Sequence, residues 1–200
     1  GNWLAQAIRR GQNAIIFTDH DTQDAVREAR DIIAQKKFNI IAIPGLEASF
    51  APGHTLIMNY LFSGQPEIDR IRRQFRKANW DDAEFLAFCD EIRAQGGYII
   101  PAHPFYESIP FAKGNAELFK AFYGFEFYNN TITKNTPLKK LPGVIRRFGM
   151  DTSKALLLSA GSDAHSVKQA TCITQIHAPV AGNIDFEDQG NIYYFEITIK

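Results

Sequence analysis

Asn13-Ala14-Ile15-Ile16-Phe17-Thr18-Asp19-His20 decides the fold: a short, continuous apolar run halts on a carboxylate and an imidazole. Three more runs do the same. Ile40-Ile41-Ala42-Ile43-Pro44-Gly45 stops near Glu47, Tyr98-Ile99-Ile100-Pro101-Ala102 stops at His103, and Leu156-Leu157-Leu158-Ser159-Ala160-Gly161 stops at Asp163 and His165. Buried parallel strands read as short unbroken Val/Ile/Leu-rich runs rather than as alternation. In α/β folds the reactive groups lie just past the carboxyl ends of such strands. Imidazoles and carboxylates repeated there converge on one mouth, which is how a metal site is built from distant sequence.

Between the runs the pattern changes to helical. Trp3, Leu4, Ala7 and Ile8 have helical spacing before Gly11, and Ala25, Val26, Ala29, Ile32 and Ile33 make a second helix, with Thr22 or Asp21 as its N-cap. A third begins near Pro66 with Ile68, Ile71 and Phe75 inward; a fourth spans 82–94 and closes at Gly96-Gly97. Further strands are expected at 38–43, from His54 to Leu61, at 98–102, 124–129 and 155–160, from Thr171 to His177 and from Ile192 to Ile199, with a short helix around 115–122. Alternation of this kind predicts parallel strands with helical crossovers, and six or seven strands suit a barrel better than a small open sheet. No repeat, linker or low-complexity segment divides the chain, so a single domain over 1–200 is expected.

Composition narrows the class. With 200 residues the chain can bury roughly 70% of its unfolded surface. Lys plus Arg and Asp plus Glu both number 22, so no global field recruits nucleic acid or an anionic membrane. No apolar run approaches the roughly 18 residues of a membrane helix, and no basic-then-apolar leader opens the chain. Cys89 and Cys172 fall in apolar patterns and read as reduced core thiols, which with the other features points to the cytoplasm.

Thr18-Asp19-His20-Asp21-Thr22 resembles the second motif of the PHP (polymerase and histidinol phosphatase) family. Pro44-Gly45-Leu46-Glu47 is similar to the motif that supplies that family's bridging glutamate, and His54 stands where it usually has a metal histidine. Ala102-His103-Pro104 resembles its third motif, Gly161-Ser162-Asp163-Ala164-His165-Ser166 its fourth, and Gly124-Phe125-Glu126-Phe127-Tyr128-Asn129 a common segment between them. The resemblance covers roughly residues 4 to 177, in family order.

It implies an α/β fold, a distorted seven-stranded (β/α)7 barrel of the PHP type, with up to three divalent metals at its C-terminal mouth and phosphoester hydrolysis as the activity. Carried over by residue, Glu47 bridges two metals, His54 and His103 complete one of those sites, Asp163 holds the other, and His20 and His165 hold the third. Carboxylate and imidazole ligands without thiolate suit Mn, Zn or Fe. Closely spaced ions generate hydroxide near neutral pH and neutralise charge on the phosphoryl oxygens, so no Ser or Cys nucleophile is required. The expected substrate is a small phosphomonoester, a nucleotide or an oligonucleotide end; nucleic acid is compatible with this but not signalled by charge, and no membrane is involved. The family's first motif, a His-x-His followed by Ser-Asp, has no counterpart, because Gly1-Asn2-Trp3 already opens the first helix. The favoured expectation is a fragment lacking its first strand; the competing ones are a non-catalytic metal- or partner-binding module and a metal-dependent hydrolase of another bond.

Taken singly, each histidine reads as structural, but four of the five occupy motif positions and only His177 is left over. Asp19 and Asp21 read as supporting or capping groups. Glu126 faces the same mouth or pairs with a lysine. Asn129 donates to a phosphate oxygen or serves the turn at Asn129-Asn130. Arg70, Arg72, Arg73, Arg76 and Lys77, and separately Lys139, Lys140, Arg146 and Arg147, read as solvated faces in preference to anion clamps.

Overall fold

The structure, a computed structural model, describes residues 2–51, 53–76, 80–104, 122, 124–129, 157–161, 172–176 and 195–199, with side chains up to residue 126. Its elements run α1 (Asn2–Arg9), β1 (Ala14–Phe17), α2 (Asp24–Lys36), β2 (Ile41–Phe50), β3 (Gly53–Met58), α3 (Gln65–Phe75), α4 (Asp82–Ala94), β4 (Tyr98–Pro101), β5 (Gly124–Asn129), β6 (Leu157–Gly161), β7 (Cys172–Ile176) and β8 (Phe195–Ile199). The helix at 82–94 lies where its spacing places it, opened by Asp81, whose side chain accepts from Ala83 N. The expected helix around 115–122 lies, but for Phe122, outside the described residues.

The sheet departs from the expected all-parallel barrel. β1 to β4 form an open four-stranded sheet in sequence order, while β5–β6 and β7–β8 form two-stranded sheets. β1 pairs with β2 in parallel, but β2–β3 and β3–β4 are antiparallel. The cause is the connection after Phe50: Ala51 and Pro52 leave room for a hairpin and none for a crossover helix. β5 runs parallel to β6 and lies beside β4.

β2 also outruns its expected end at Pro44-Gly45, continuing to Phe50. Pro44 is tolerated because the ladder with β3 starts only at Gly45, so the missing N–H interrupts no pairing there, and its carbonyl accepts from Asn59 N. Gly45 is a matter of space. A Cβ there would sit 2.6 Å from Phe17 O and 2.8 Å from the γ-methyls of Ile16 and Thr18.

Cross-strand partners share a face, so register divides the sheet. Leu46, Ala48, Phe50, Ile57 and Ile99 pack under α3 and α4 with Phe75, Phe85 and Phe88. Those rings meet mostly edge-on, Phe50 to Phe75 at 5.4 Å and Trp80 to Phe85 at 4.5 Å. α1 and α2 cover Ala42 with Leu4, Ala7, Val26 and Ala29. The opposite face of β2–β4 carries Leu56, Met58, Ile100 and Ala102, together with Glu47 and His54. Burial on both faces is why β2 reads as an unbroken apolar run.

Candidate metal centre

Beyond Phe17 the parallel ladder lapses and then resumes once. The register that sets Ala14 opposite Ile41 and Phe17 opposite Pro44, carried three residues on, sets His20 opposite Glu47. Two backbone bonds fix this bridge: Glu47 N donates to Asp19 O at 3.1 Å and Asp21 N to Glu47 O at 3.0 Å. On the other side, Glu47 lies opposite Leu56 and Ser49 opposite His54, which places Glu47 and His54 diagonally on one face of the hairpin. His103 follows β4, tied by Ala102 N to His54 O, and adopts a left-handed φ of 29° that few residues other than glycine accept. Its amide donates to the buried carboxylate of Glu126 at 2.8 Å.

Three histidines therefore surround one carboxylate that is 7% exposed. His54 Nδ1 lies 2.8 Å and His103 Nε2 3.4 Å from Glu47 Oε1, while His20 Nε2 lies 3.9 Å from Oε2. The His20 and His54 rings meet edge-on at 4.9 Å, and those of His54 and His103 at 5.4 Å. Burial is the largest influence on the Glu47 carboxyl and pushes its pKa up. The His103 and His54 imidazoles, with the electrostatic pull of His20, outweigh it and hold the group at about 2. Asp19, beside them, is raised, chiefly by burial.

The arrangement suits a cation. Glu47 Oε1 and His54 Nδ1 are both buried and close, yet neither has a partner in hydrogen-bonding geometry. A proton or a metal ion between the two atoms would satisfy both. Ligand atoms of His20, Glu47 and His54 all lie within 4.8 Å of one another, and the donor set is the oxygen and nitrogen mixture of Mn, Zn and Fe sites.

Of the sequence-expected ligands, His20, Glu47, His54 and His103 are brought together. Asp163 and His165 lie outside the described residues. Asn129 ends β5 opposite Gly161, and its side chain also lies outside them. Asp21 does not cap α2: the N-cap is Gln23, without a side-chain cap bond, and the carboxylate of Asp21 instead accepts from Ser49 N at 2.9 Å. Arg72 belongs to no simple solvated face, since it is half-buried and 3.5 Å from Asp21 Oδ2. Gln23 carried no signal in the sequence, yet its buried amide donates to Tyr60 O and accepts from Phe62 N, pinning the segment after β3 to α2.

The chain matches no protein-family model. It matches no curated protein either. Solved structures do resemble it in fold. A predicted metal-dependent phosphoesterase from Bifidobacterium adolescentis superposes with a TM-score of 0.54 at 15% identity, over 82% of this chain and 81% of that one. A two-domain protein from Bacteroides vulgatus containing a predicted PHP-like metal-dependent phosphoesterase gives 0.50 at 18% identity, over 74% of this chain and 44% of that one. An amidohydrolase from Chromobacterium violaceum, with bound sulfate and no metal, gives 0.52 at 15% identity, over 81% and 80%. At these identities the likeness establishes a shared mixed α/β fold. Among the described residues no helix is long and apolar enough to cross a membrane.

Proposed function

We propose that this chain is a PHP-like metal-dependent phosphoesterase whose substrate is a small phosphomonoester, a nucleotide or an oligonucleotide end. The observation that carries it is a single buried carboxylate faced by imidazoles on both oxygens, His54 and His103 toward Oε1 and His20 toward Oε2. Glu47, His54, His103 and His20 would hold divalent ions, with Asp163 and His165 as further ligands. Such ions supply Lewis acidity toward a water and toward the phosphoryl oxygens. Glu47 stays ionised far below neutral pH, so its charge is available throughout the working range. The main chain at His103 is held by the hydrogen bond from its N–H to the Glu126 carboxylate. Asn129 is the candidate donor to a phosphate oxygen. A barrel closed by strands beyond the open sheet belongs to this same reading.

A second reading, hydrolysis of an amide, is favoured by the fold likeness to the Chromobacterium violaceum amidohydrolase. The two separate in one panel: an aryl phosphate, AMP, a 5′-phosphorylated oligonucleotide and an N-acyl amide, each with Mn²⁺, compared by kcat/KM. Phosphoester turnover that vanishes with chelator and in Glu47→Ala supports the first reading. Stoichiometric metal without turnover of any substrate points to a binding module. No bound metal and no turnover would sink the proposal.

A further inference from the structure

Asp21 follows His20 directly, and no ligand role falls to it, yet four contacts tie it to the surrounding elements. Its amide donates to Glu47 O, and its carbonyl accepts from Gln65 Nε2 at 2.9 Å. Its Oδ1 accepts from Ser49 N at 2.9 Å, and its Oδ2 faces Arg72 Nη1 at 3.5 Å. These four contacts reach β2 twice, just C-terminal to the Glu47 side chain, and reach α3 twice. The backbone holds a left-handed φ of 54° to make them, a conformation an aspartate adopts only against a modest cost. Of the arginines on α3, Arg72 is the half-buried one, while Arg70, Arg73 and Arg76 are exposed.

We propose that Asp21 is a positioning residue: it clamps the end of the His20 segment onto β2 and α3, and so sets His20 Nε2 at its distance from Glu47 Oε2. The proposal rests on the metal-site reading above. The logic is geometric. Asp21 grips β2 at the Glu47 carbonyl and the Ser49 amide, both just C-terminal to the Glu47 side chain, while Glu47 N donates to Asp19 O on the other side, so His20 lies between the two residues that hold this stretch of β2. Losing the grip frees His20 relative to Glu47 without touching either side chain. The Oδ2–Arg72 pair orients the carboxylate so that Oδ1 meets the Ser49 amide, and it makes α3 part of the site's support.

Mn²⁺ binding to the full chain, by calorimetry and electron paramagnetic resonance, tests this in the wild type, Glu47→Ala, Asp21→Ala, Asp21→Asn and Arg72→Met, alongside metal-free unfolding of each. Asp21→Ala should weaken Mn²⁺ binding about 10- to 100-fold, as loss of a group that orients ligands does. Asp21→Asn retains an oxygen for Ser49 N but sets an amide donor against Arg72, so it should weaken binding about three- to tenfold, as Arg72→Met does and less than Asp21→Ala. Arg72→Met should weaken binding about three- to tenfold, and it carries the test if Asp21→Ala does not fold. A merely structural role would lower stability while leaving the affinity of the folded protein unchanged. A wild type that binds no Mn²⁺, or a Glu47→Ala chain that binds it as well, overturns the metal-site reading and this inference with it. Glu47-dependent binding that survives intact in folded Asp21→Ala, or in Arg72→Met, overturns this inference alone.

Discussion

Gly45→Ala should unfold this protein more readily than any other single methyl added to its first parallel ladder. The new Cβ would lie 2.6 Å from Phe17 O and 2.8 Å from two γ-methyls, all on or next to β1. Ordinary contacts need about 3.5–4.0 Å, so β1 must retreat by on the order of 1 Å. The obstacle is backbone, so no side-chain rotation relieves it, and the retreat stretches the hydrogen bonds joining β1 to β2. Overpacking of this kind costs roughly 1–3 kcal/mol, and the upper half of that range is expected here. For a chain of this length that is about 4–12 °C in Tm. Gly64→Ser is the matched control: its Cβ would meet nothing nearer than Pro66 Cδ at 3.6 Å, and serine suits the N-cap position it occupies before α3. Urea and thermal unfolding of both variants, metal-free, measure the difference. Mn²⁺ affinity should fall in Gly45→Ala as well, because the retreat of β1 draws its continuation at His20 away from Glu47, two residues past Gly45 on β2. Stability within about 0.5 kcal/mol of the Gly64→Ser control would refute the steric argument.

Glu47→Ala should strip the most metal, with His54→Ala, His103→Ala and His20→Ala each losing less; equal losses by metal analysis of all four would contradict the central role of the carboxylate. In the metal-free protein the lowered pKa of Glu47 means its ionised form is favoured by the fold. That contribution, on the order of 3 kcal/mol, is present above pH 4.5 and is lost as pH falls through about 2, so the wild-type advantage over Glu47→Gln in urea should shrink across that window. Burial pushes the Cys89 thiol up to about 12, so iodoacetamide at pH 8 should spare it in the native protein, as peptide mapping would show. Gln23→Ala orphans Tyr60 O and Phe62 N and should cost about 2–5 kcal/mol by equilibrium unfolding.

Part of the site could be read in the chain because a ligand at or near the end of an apolar run occupies a position that local pattern encodes. His20, Glu47 and His103 were visible in this way, whereas His54 opens its run and stood out only through the family resemblance. Strand direction was less visible. The run from His54 is equally apolar whichever way it points, and the informative feature was the brevity of Ala51-Pro52, which permits a hairpin alone. Pro44-Gly45 looked like a terminator because proline lacks a donor and glycine bends freely. It is instead a place where neither property matters to the ladder and small size does. Asp21 misled for another reason: as a capping residue type before a helix it suggests a local bond, while its partners Ser49, Gln65 and Arg72 lie far along the chain. Barrel closure is a count of distant pairings, which no local periodicity contains.

The hairpin β2–β3 gives the site an uneven folding history. Glu47 and His54 sit on adjacent strands joined by a tight turn, a unit that closes in about 1–10 μs. His20 and His103 arrive later, through a parallel crossover and a return past two helices, pairings that form slowly because they are distant in sequence. A chain with the hairpin and little else would already offer a carboxylate and an imidazole to a passing ion. If the site binds metal as proposed, affinity kept by the hairpin in the denatured ensemble would make the stabilisation a metal confers smaller than its native-state affinity alone would give. Metal present during refolding would act on the hairpin first, favouring chains in which Glu47 and His54 already face the same way.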